Sequence, residues 1–197
     1  MMREIIFASH NKGKIKELNE ILSKLNIRVL SAEELDLPDV EETGTTFEEN
    51  ALIKAGTIAR LKNRPCLADD SGLCVDALNG RPGVYSARYA PNRDFDKAMD
   101  MLLGELENAE DKSRKAHFSC VMALVFENGE HICFEGRVDG QIALKKSGAS
   151  GFGFDPLFIP DGYHQTFAEL GADVKNKISH RARALEKLTA YIAEKGL

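Results

Sequence analysis

Asn128-Gly129 stands between two apolar-rich segments, Phe118–Phe126 and Ile132–Val138. Asparagine followed by glycine is the strongest short signal for a β-hairpin, because both residues accept the positive φ of a two-residue hairpin turn. An antiparallel pair in the second half of the chain constrains the rest. Upstream, Glu4–Ala8 reads as a short buried strand, and Ile15, Leu18, Ile21, Leu22 and Leu25 recur at helical spacing, predicting a helix over 13–25. A short strand is expected over Arg28–Leu30. Thr46-Phe-Glu-Glu49 has capping-box form and predicts a helix from Thr45 or Thr46 to about Leu61, ahead of Pro65. Cys66-Leu-Ala68 is strand-like, and glycine and proline over 80–83 mark a loop. Phe95, Met99, Leu102, Leu103 and Leu106 predict a third helix, and Ala184, Leu185, Leu188 and Ile192 a last one over 180–194. Helices and strands that alternate first and end in an antiparallel pair predict an α/β fold, a mixed sheet with flanking helices, rather than a doubly wound parallel sheet. No internal repeat or low-complexity linker interrupts the 197 residues, which match one domain at ~100–200 residues per domain. A single domain over 1–197 is expected.

The chain is 43% hydrophobic and 29% charged, the composition of an ordinary soluble globular protein. The longest apolar runs, such as Val121–Phe126, fall far short of the roughly 18 residues that a membrane span needs. The start lacks the apolar stretch and small-residue cleavage site of a signal peptide, so a cytoplasmic protein without a membrane partner is expected. A net charge of −5 argues against nucleic acid as the main partner. Small anions need only a local basic pocket and are not excluded. Cys66, Cys74, Cys120 and Cys133 form no C-x-x-C pair and read as reduced core residues. The five histidines show no H-E-x-x-H spacing, which speaks against zinc.

Five segments carry residues suited to chemistry. Ser9, His10, Asn11, Lys12, Gly13 and Lys14 lie between a predicted strand and helix, where a helix start offers N–H groups and partial positive charge to an anion. The segment lacks the second glycine of a Walker loop, and Ile15 stands where a hydroxyl would hold Mg2+. A capped helix with solvated lysines would leave the same residues. Asp69 and Asp70 follow the strand-like Cys66–Ala68, and two adjacent buried carboxylates are costly without cationic compensation. Alternation along a strand points them to opposite faces, so one is free to bind metal while the other holds the loop. Carboxylate oxygens without histidine or cysteine suit Mg2+ or Mn2+; a turn with Asp and Ser capping backbone donors is the alternative.

The segment 33–49 holds eight carboxylates and no basic residue, punctuated by Pro38 and Gly44. Glu48 and Glu49 are accounted for by capping and the helix dipole, whereas Glu41 and Glu42 precede the helix and are candidate metal ligands. Gly151, Phe152, Gly153, Phe154 and Asp155 interleave glycine with aromatic residues, a pattern that lets backbone approach a flat ligand on which an aromatic stacks. Tight looping around buried phenylalanines is the alternative. Lys175, His180 and Arg181 gather donors near the start of the last helix, which Ser179 can cap. Such donors suit a phosphate or a base carbonyl.

The order of these motifs is more informative than any one of them. Ser9-His-Asn-Lys-Gly-Lys14, Glu41-Glu-Thr-Gly44, Thr46-Phe-Glu-Glu-Asn-Ala-Leu-Ile-Lys-Ala55 and Ala68-Asp-Asp-Ser-Gly-Leu73 come first. Gly80-Arg-Pro-Gly-Val-Tyr-Ser-Ala-Arg88, Gly151-Phe-Gly-Phe-Asp-Pro156 and Lys175-Asn-Lys-Ile-Ser-His-Arg181 follow. Over essentially its whole length the chain resembles the inosine/xanthosine triphosphate pyrophosphatase family, also called XTP/dITP diphosphatases. The resemblance implies Mg2+-dependent hydrolysis of deaminated purine nucleoside triphosphates to the monophosphate and pyrophosphate. It also implies an elongated two-lobed domain with a central substrate cleft, working as a cytoplasmic homodimer. Carried over by motif, Ser9 to Lys14 would cradle the triphosphate with Lys54, and Asp70 would be metal ligand and proton acceptor. Ser71 would touch the substrate, and Phe152 to Asp155, Lys175, His180 and Arg181 would hold the nucleoside. Of Glu41 and Glu42, Glu42 is slightly favoured as the second metal ligand. Ser9 replaces the threonine that often opens the family's first motif and keeps its hydroxyl.

On this reading Lys14, Lys54 and Lys175 would stabilise the departing pyrophosphate. Arg181, a donor only, would pair with the 6-oxo group of hypoxanthine or xanthine and leave the 6-amino group of adenine unsatisfied. Guanine shares the 6-oxo group, so its exclusion falls to the 2-position. The alternatives are a pyrophosphatase for modified pyrimidine nucleotides and a non-catalytic nucleotide sensor.

Overall fold

The computed structural model describes residues 4–195. In chain order the elements are β1 (Glu4–Phe7), α1 (Lys12–Leu22), β2 (Arg28–Ser31), α2 (Phe47–Lys62), β3 (Cys66–Val75) and α3 (Phe95–Asn108). There follow β4 (Lys115–Val125), β5 (His131–Ile142), β6 (Phe158–Pro160), α4 (Phe167–Leu170), α5 (Ala172–Ile178) and α6 (His180–Lys195). The strands form one six-stranded sheet in the order β2-β1-β3-β4-β5-β6. β1 pairs in parallel with both β2 and β3, whereas β5 and β6 are antiparallel. β4 and β5 meet at the expected hairpin, but through a three-residue loop, 127–129, in which Gly129 has positive φ (87°) and Asn128 does not; Gly129 N–H donates to Phe126 O (3.0 Å) and Phe126 N–H to Glu130 O (2.9 Å). The sheet is therefore mixed, with helices flanking it. Among the described residues no helix is long and apolar enough to cross a membrane.

Two compact units are built from separated stretches of chain. Unit 1 takes the residues up to Asp70, Cys120–Gly136 and those from Arg183 onward; unit 2 takes Ser71–Ser119 and Arg137–Ala182. The chain passes from one to the other within β3, β4, β5 and α6.

In unit 1 both faces of the sheet are buried, which is why its strands read as continuous apolar runs. Ile5 and Phe7 of β1, Leu67 of β3 and Cys120, Met122 and Leu124 of β4 pack with Leu18 and Leu22 of α1 and Leu185 and Leu188 of α6. The residues between them (Ile6, Cys66, Ala68, Val121, Ala123 and Val125) turn to the other face against Ala51, Ala55, Ile58 and Ala59 of α2. The small alanines of α2 let that helix approach closely. Thr46 caps it through the predicted box, accepting from Glu49 N–H while the Glu49 carboxylate accepts from Thr46 N–H. Unit 2 has its own core, in which Leu73, Leu102, Leu106, Phe118, Val138, Phe158 and Phe167 pack together.

Three differences from the sequence-based expectations have physical causes. β3 does not turn at Asp69-Asp70 but continues to Val75, so the capping-turn alternative is excluded. β6, α4 and α5 were not predicted; three, four and seven residues are too few for a readable period. The helix expected over 13–25 is α1 followed by one 3-10 turn at Ser23–Leu25, closed by Asn26 at φ 56°.

Gly72, inside β3, lies where the 80–88 segment crosses the strand. A Cβ there would sit 2.2 Å from Gly83 O and 2.5 Å from Ser86 Oγ. Ser86 fastens the crossing by accepting from Leu73 N–H (2.9 Å) and donating to Gly83 O (2.7 Å). Gly72→Ala should therefore cost about 1–3 kcal/mol through overpacking, read as a lowered urea midpoint. An unchanged midpoint would mean that the crossing is looser than described.

Candidate functional site

Strand alternation sorts the two aspartates of β3 as expected. Asp69 shares the face of Leu67 and meets α1, where Lys14 Nζ lies 3.1 Å from Oδ1 and 3.0 Å from Oδ2. Asp70 shares the face of Ala68 and meets α2, where Asn50 Nδ2 donates to its Oδ2 at 3.0 Å. Both aspartates are buried. On α2, one turn after Asn50, Lys54 Nζ donates to Glu42 Oε1 at 2.5 Å. Burial works against the charged form of Lys54, but Asp69, Asp70 and Glu42 together outweigh it and hold its pKa above the ordinary lysine value. Burial pushes the Asp70 carboxyl above the usual carboxylate range; Lys54 and Lys14 pull it down, and the negative charge of Glu42 adds to the rise.

The group in unit 1 thus sets three carboxylates (Glu42, Asp69, Asp70) against two ammonium groups (Lys14, Lys54). The charge of Glu42 disfavours ionisation of Asp70, and a cation near both would relieve that repulsion. Among the described residues no three His, Cys, Asp or Glu side chains converge closely enough to enclose a metal by themselves. The oxygens of Glu42 and Asp70 are of the kind that suits a hard divalent cation. Glu42, not the exposed Glu41, is the carboxylate that reaches Lys54.

The start of α1 adjoins this group. Asn11 caps the helix, its Oδ1 accepting from Lys14 N–H at 3.1 Å, and Ser9 Oγ accepts from Asn11 N–H at 3.2 Å. Helix geometry gives the N–H groups of Lys12 and Gly13 no acceptor one turn back. His10 is exposed and pairs with Asp39 at 3.0 Å, and Lys12 is exposed.

Unit 2 assembles the remaining candidates. Gly151 has φ 78°, and a Cβ on it would fall 2.2 Å from Asp155 Oδ2. This glycine serves the turn itself rather than the ligand approach expected of it. The turn lets Phe152 N–H donate to Asp155 Oδ2 (2.9 Å), and Lys175 Nζ donates to the same oxygen at 2.6 Å. Lys175 and Asp155 are both buried, so this lysine's charge is matched within unit 2 by a carboxylate. Lys14 and Lys54, the other two lysines expected at the pyrophosphate, belong to unit 1. Lys175 Nζ also lies 4.2 Å from the centroid of Phe152, and the Arg181 guanidinium lies 5.8 Å from the same ring. Arg181 Nη2 donates to Ser71 Oγ at 3.0 Å. His180 is buried, stacked on Phe118 at 4.8 Å with ring planes 12° apart. Ser179 caps α6 as expected, accepting from Ala182 N–H at 3.1 Å.

Phe154, expected to hold the nucleoside, lies in the core of unit 2. Its ring is buried against Phe95 (5.5 Å, edge-on) and Tyr89 (6.5 Å), and it anchors the loop that presents Phe152. Sequence reasoning missed Asn50 altogether. The one available signal was a polar, indifferent helix former at the fourth position of α2, in a face otherwise lined by alanine.

Known proteins resemble the chain along nearly its whole length. The model of the Ham1 family matches residues 5–191. The chain is 48% identical to a dITP/XTP pyrophosphatase of Bacillus subtilis (strain 168), covering 98% of each sequence. It is 49% identical to a dITP/XTP pyrophosphatase of Clostridium perfringens (strain 13 / Type A), over 95% of this chain and 96% of that one. A solved Ham1 protein from Coxiella burnetii superposes with a TM-score of 0.90 at 44% identity, covering 98% of this chain and 100% of that structure.

Proposed function

The chain belongs to the Ham1 family, and from that membership and the acidic group of unit 1 we infer that it hydrolyses deaminated purine nucleoside triphosphates. ITP, dITP and XTP are cleaved to the nucleoside monophosphate and pyrophosphate, which clears them from the nucleotide pool. The observation that carries this reading is the pair of acidic side chains, Asp70 and Glu42, set beside Lys54 in unit 1. The names of the relatives supply the substrate class.

Mg2+, with Mn2+ as a substitute, is held by Asp70 and Glu42 and supplies charge neutralisation and Lewis acidity when bound. Asp70 accepts the proton of the water that attacks the α-phosphorus, a role worth about 10²–10⁴-fold when a carboxylate is positioned for it. Lys14 and Lys54 stabilise charge on the departing pyrophosphate without reorganising, because Asp69 and Glu42 already fix their positions. Ser9, Asn11 and the N–H groups of Lys12 and Gly13 receive phosphate oxygens at the start of α1. Phe152 stacks on the base, with Lys175 and Asp155 fixing its loop and Arg181 reading the 6-oxo group. His180 and Ser71 complete the nucleoside contacts. The working form in this reading is a cytoplasmic homodimer without nucleic acid or membrane as partner; the net charge of −5 bears on the nucleic acid alone, which a basic surface would favour.

The direct test is product analysis with ITP, XTP, GTP and ATP in Mg2+. Pyrophosphate from ITP and XTP, with little from ATP, is expected. Orthophosphate would move the cleavage site and overturn the reading; turnover of modified pyrimidine triphosphates alone would replace the substrate class, and tight binding without turnover would indicate a sensor. Arg181→Met should lower the preference for ITP over ATP about 10–100-fold, since an unpaired buried polar group costs roughly 1–3 kcal/mol. A ratio of kcat/KM values checks this, because loss of folded protein cancels from it. An unchanged ratio would assign base reading to another residue.

A further inference from the structure

Asn50 sits in the first turns of α2 with no exposed surface, and its amide joins two parts of unit 1 that are far apart in sequence. Its Oδ1 accepts from Gly44 N–H at 2.8 Å, and its Nδ2 donates to Asp70 Oδ2 at 3.0 Å. These partners fix the amide orientation, because a backbone N–H requires an acceptor and a carboxylate requires a donor. No helix cap depends on it, since Thr46 and Glu49 already perform that task. Gly44 is closely fitted to it: a Cβ at Gly44 would lie 2.7 Å from Asn50 Oδ1 and 2.6 Å from Glu49 Cβ. Gly44 in turn is two residues from Glu42.

We propose that Asn50 is a positioning residue, its single buried amide setting the Glu42 segment and the Asp70 carboxylate at a fixed separation so that the two can share one divalent cation. The proposal deepens the reading of unit 1 as a magnesium site and rests on it. An aliphatic residue would fill the same space against the alanines of α2 and pack at least as well. It would remove one hydrogen bond from Asp70 and one from the backbone two residues after Glu42. Two carboxylates that must be brought into register bind a cation more weakly than two already in register, because the ordering is then drawn from the binding free energy. Hydrogen bonds from outer residues to ligating carboxylates typically matter by 10–100-fold in metal affinity.

The experiment compares wild type with Asn50→Leu and, as a smaller change, Asn50→Ser. Mn2+ binding to the full chain without nucleotide is followed by electron paramagnetic resonance, beside the Mg2+ dependence of pyrophosphate release from ITP. Both variants should weaken Mn2+ binding at least tenfold and raise the half-saturating Mg2+ concentration by a similar factor. KM for ITP at saturating metal should move less than threefold. A merely structural asparagine would lower the folded fraction and kcat while leaving the metal affinity of the folded molecules alone. Unchanged Mn2+ affinity in folded Asn50→Leu or Asn50→Ser overturns the proposal, as does a wild type that binds no Mn2+. A wild type that binds Mn2+ yet releases no pyrophosphate removes the functional reading, and the Mn2+ comparison still decides the role of Asn50.

Discussion

Asp70→Asn should reduce kcat/KM for ITP by about 10²–10⁴-fold, the range that a positioned carboxylate base supplies, while the metal-free protein melts at the same or a higher temperature. The opposite signs come from one cause. Burial raises the Asp70 pKa above its unfolded value, despite Lys54 and Lys14 nearby. The folded state therefore holds this proton more tightly than the unfolded state, and stability falls as pH rises from the ordinary carboxylate value through the folded pKa. Above that window the ionised carboxylate is a standing cost to folding, which asparagine removes while keeping the shape and an acceptor for Asn50. Thermal melts of both proteins without metal between pH 4 and 8, beside steady-state assays with Mg2+, check both halves. A variant that keeps near wild-type turnover would take Asp70 out of the chemistry. One that keeps the full pH dependence of stability would take it out of the electrostatics.

The largest loss of stability is expected from Lys175→Met. The side chains of Lys175 and Asp155 are 5% and 3% exposed and 2.6 Å apart. Breaking a buried ion pair by removing one partner typically costs 3–5 kcal/mol, or roughly 6–20 °C in melting temperature for a chain of this size. Replacing Asp155 by leucine at the same time should restore part of the loss, because the buried carboxylate is then removed with the cation. Recovery should stay incomplete, since Asp155 also accepts from Phe152 N–H and holds the 151–155 turn. A double-mutant cycle by calorimetry measures the coupling. Additive losses would show that the two side chains do not depend on one another.

Legibility in the sequence followed the range of the interaction. The hairpin at Asn128-Gly129, the Thr46 capping box and the apolar spacing of α1, α3 and α6 are local, and the structure places each where the sequence indicates. The alternation that sends Asp69 to Lys14 and Asp70 to Asn50 is local in origin too, although the partners are 55 and 20 residues away. What could not be read is what depends on a neighbour distant in sequence. Phe154 and Phe152 look alike in the chain, and only packing against Phe95 and Tyr89 makes the first a core residue. The partner of Lys175, Asp155, lies 20 residues away and leaves no mark on the local pattern. Asn50 carried no pattern, because its function lies in joining two partners rather than in any spacing of its own.

The discontinuity of unit 1 has a consequence for biosynthesis. Ile5 and Phe7 share a core with Leu185 and Leu188 of α6, so β1, once it emerges from the ribosome, lacks part of its cover until roughly 180 residues later. At ~5–20 residues per second that is a wait of about 10–40 s, during which one apolar face of β1 and α1 stays open to solvent and to other chains. Unit 2, whose stretches are complete by Ala182, offers no earlier refuge, since its strands are shared with unit 1. A nascent chain of this design is therefore a natural client for a holding chaperone, and its yield in a cell should depend on translation speed more than its equilibrium stability would suggest.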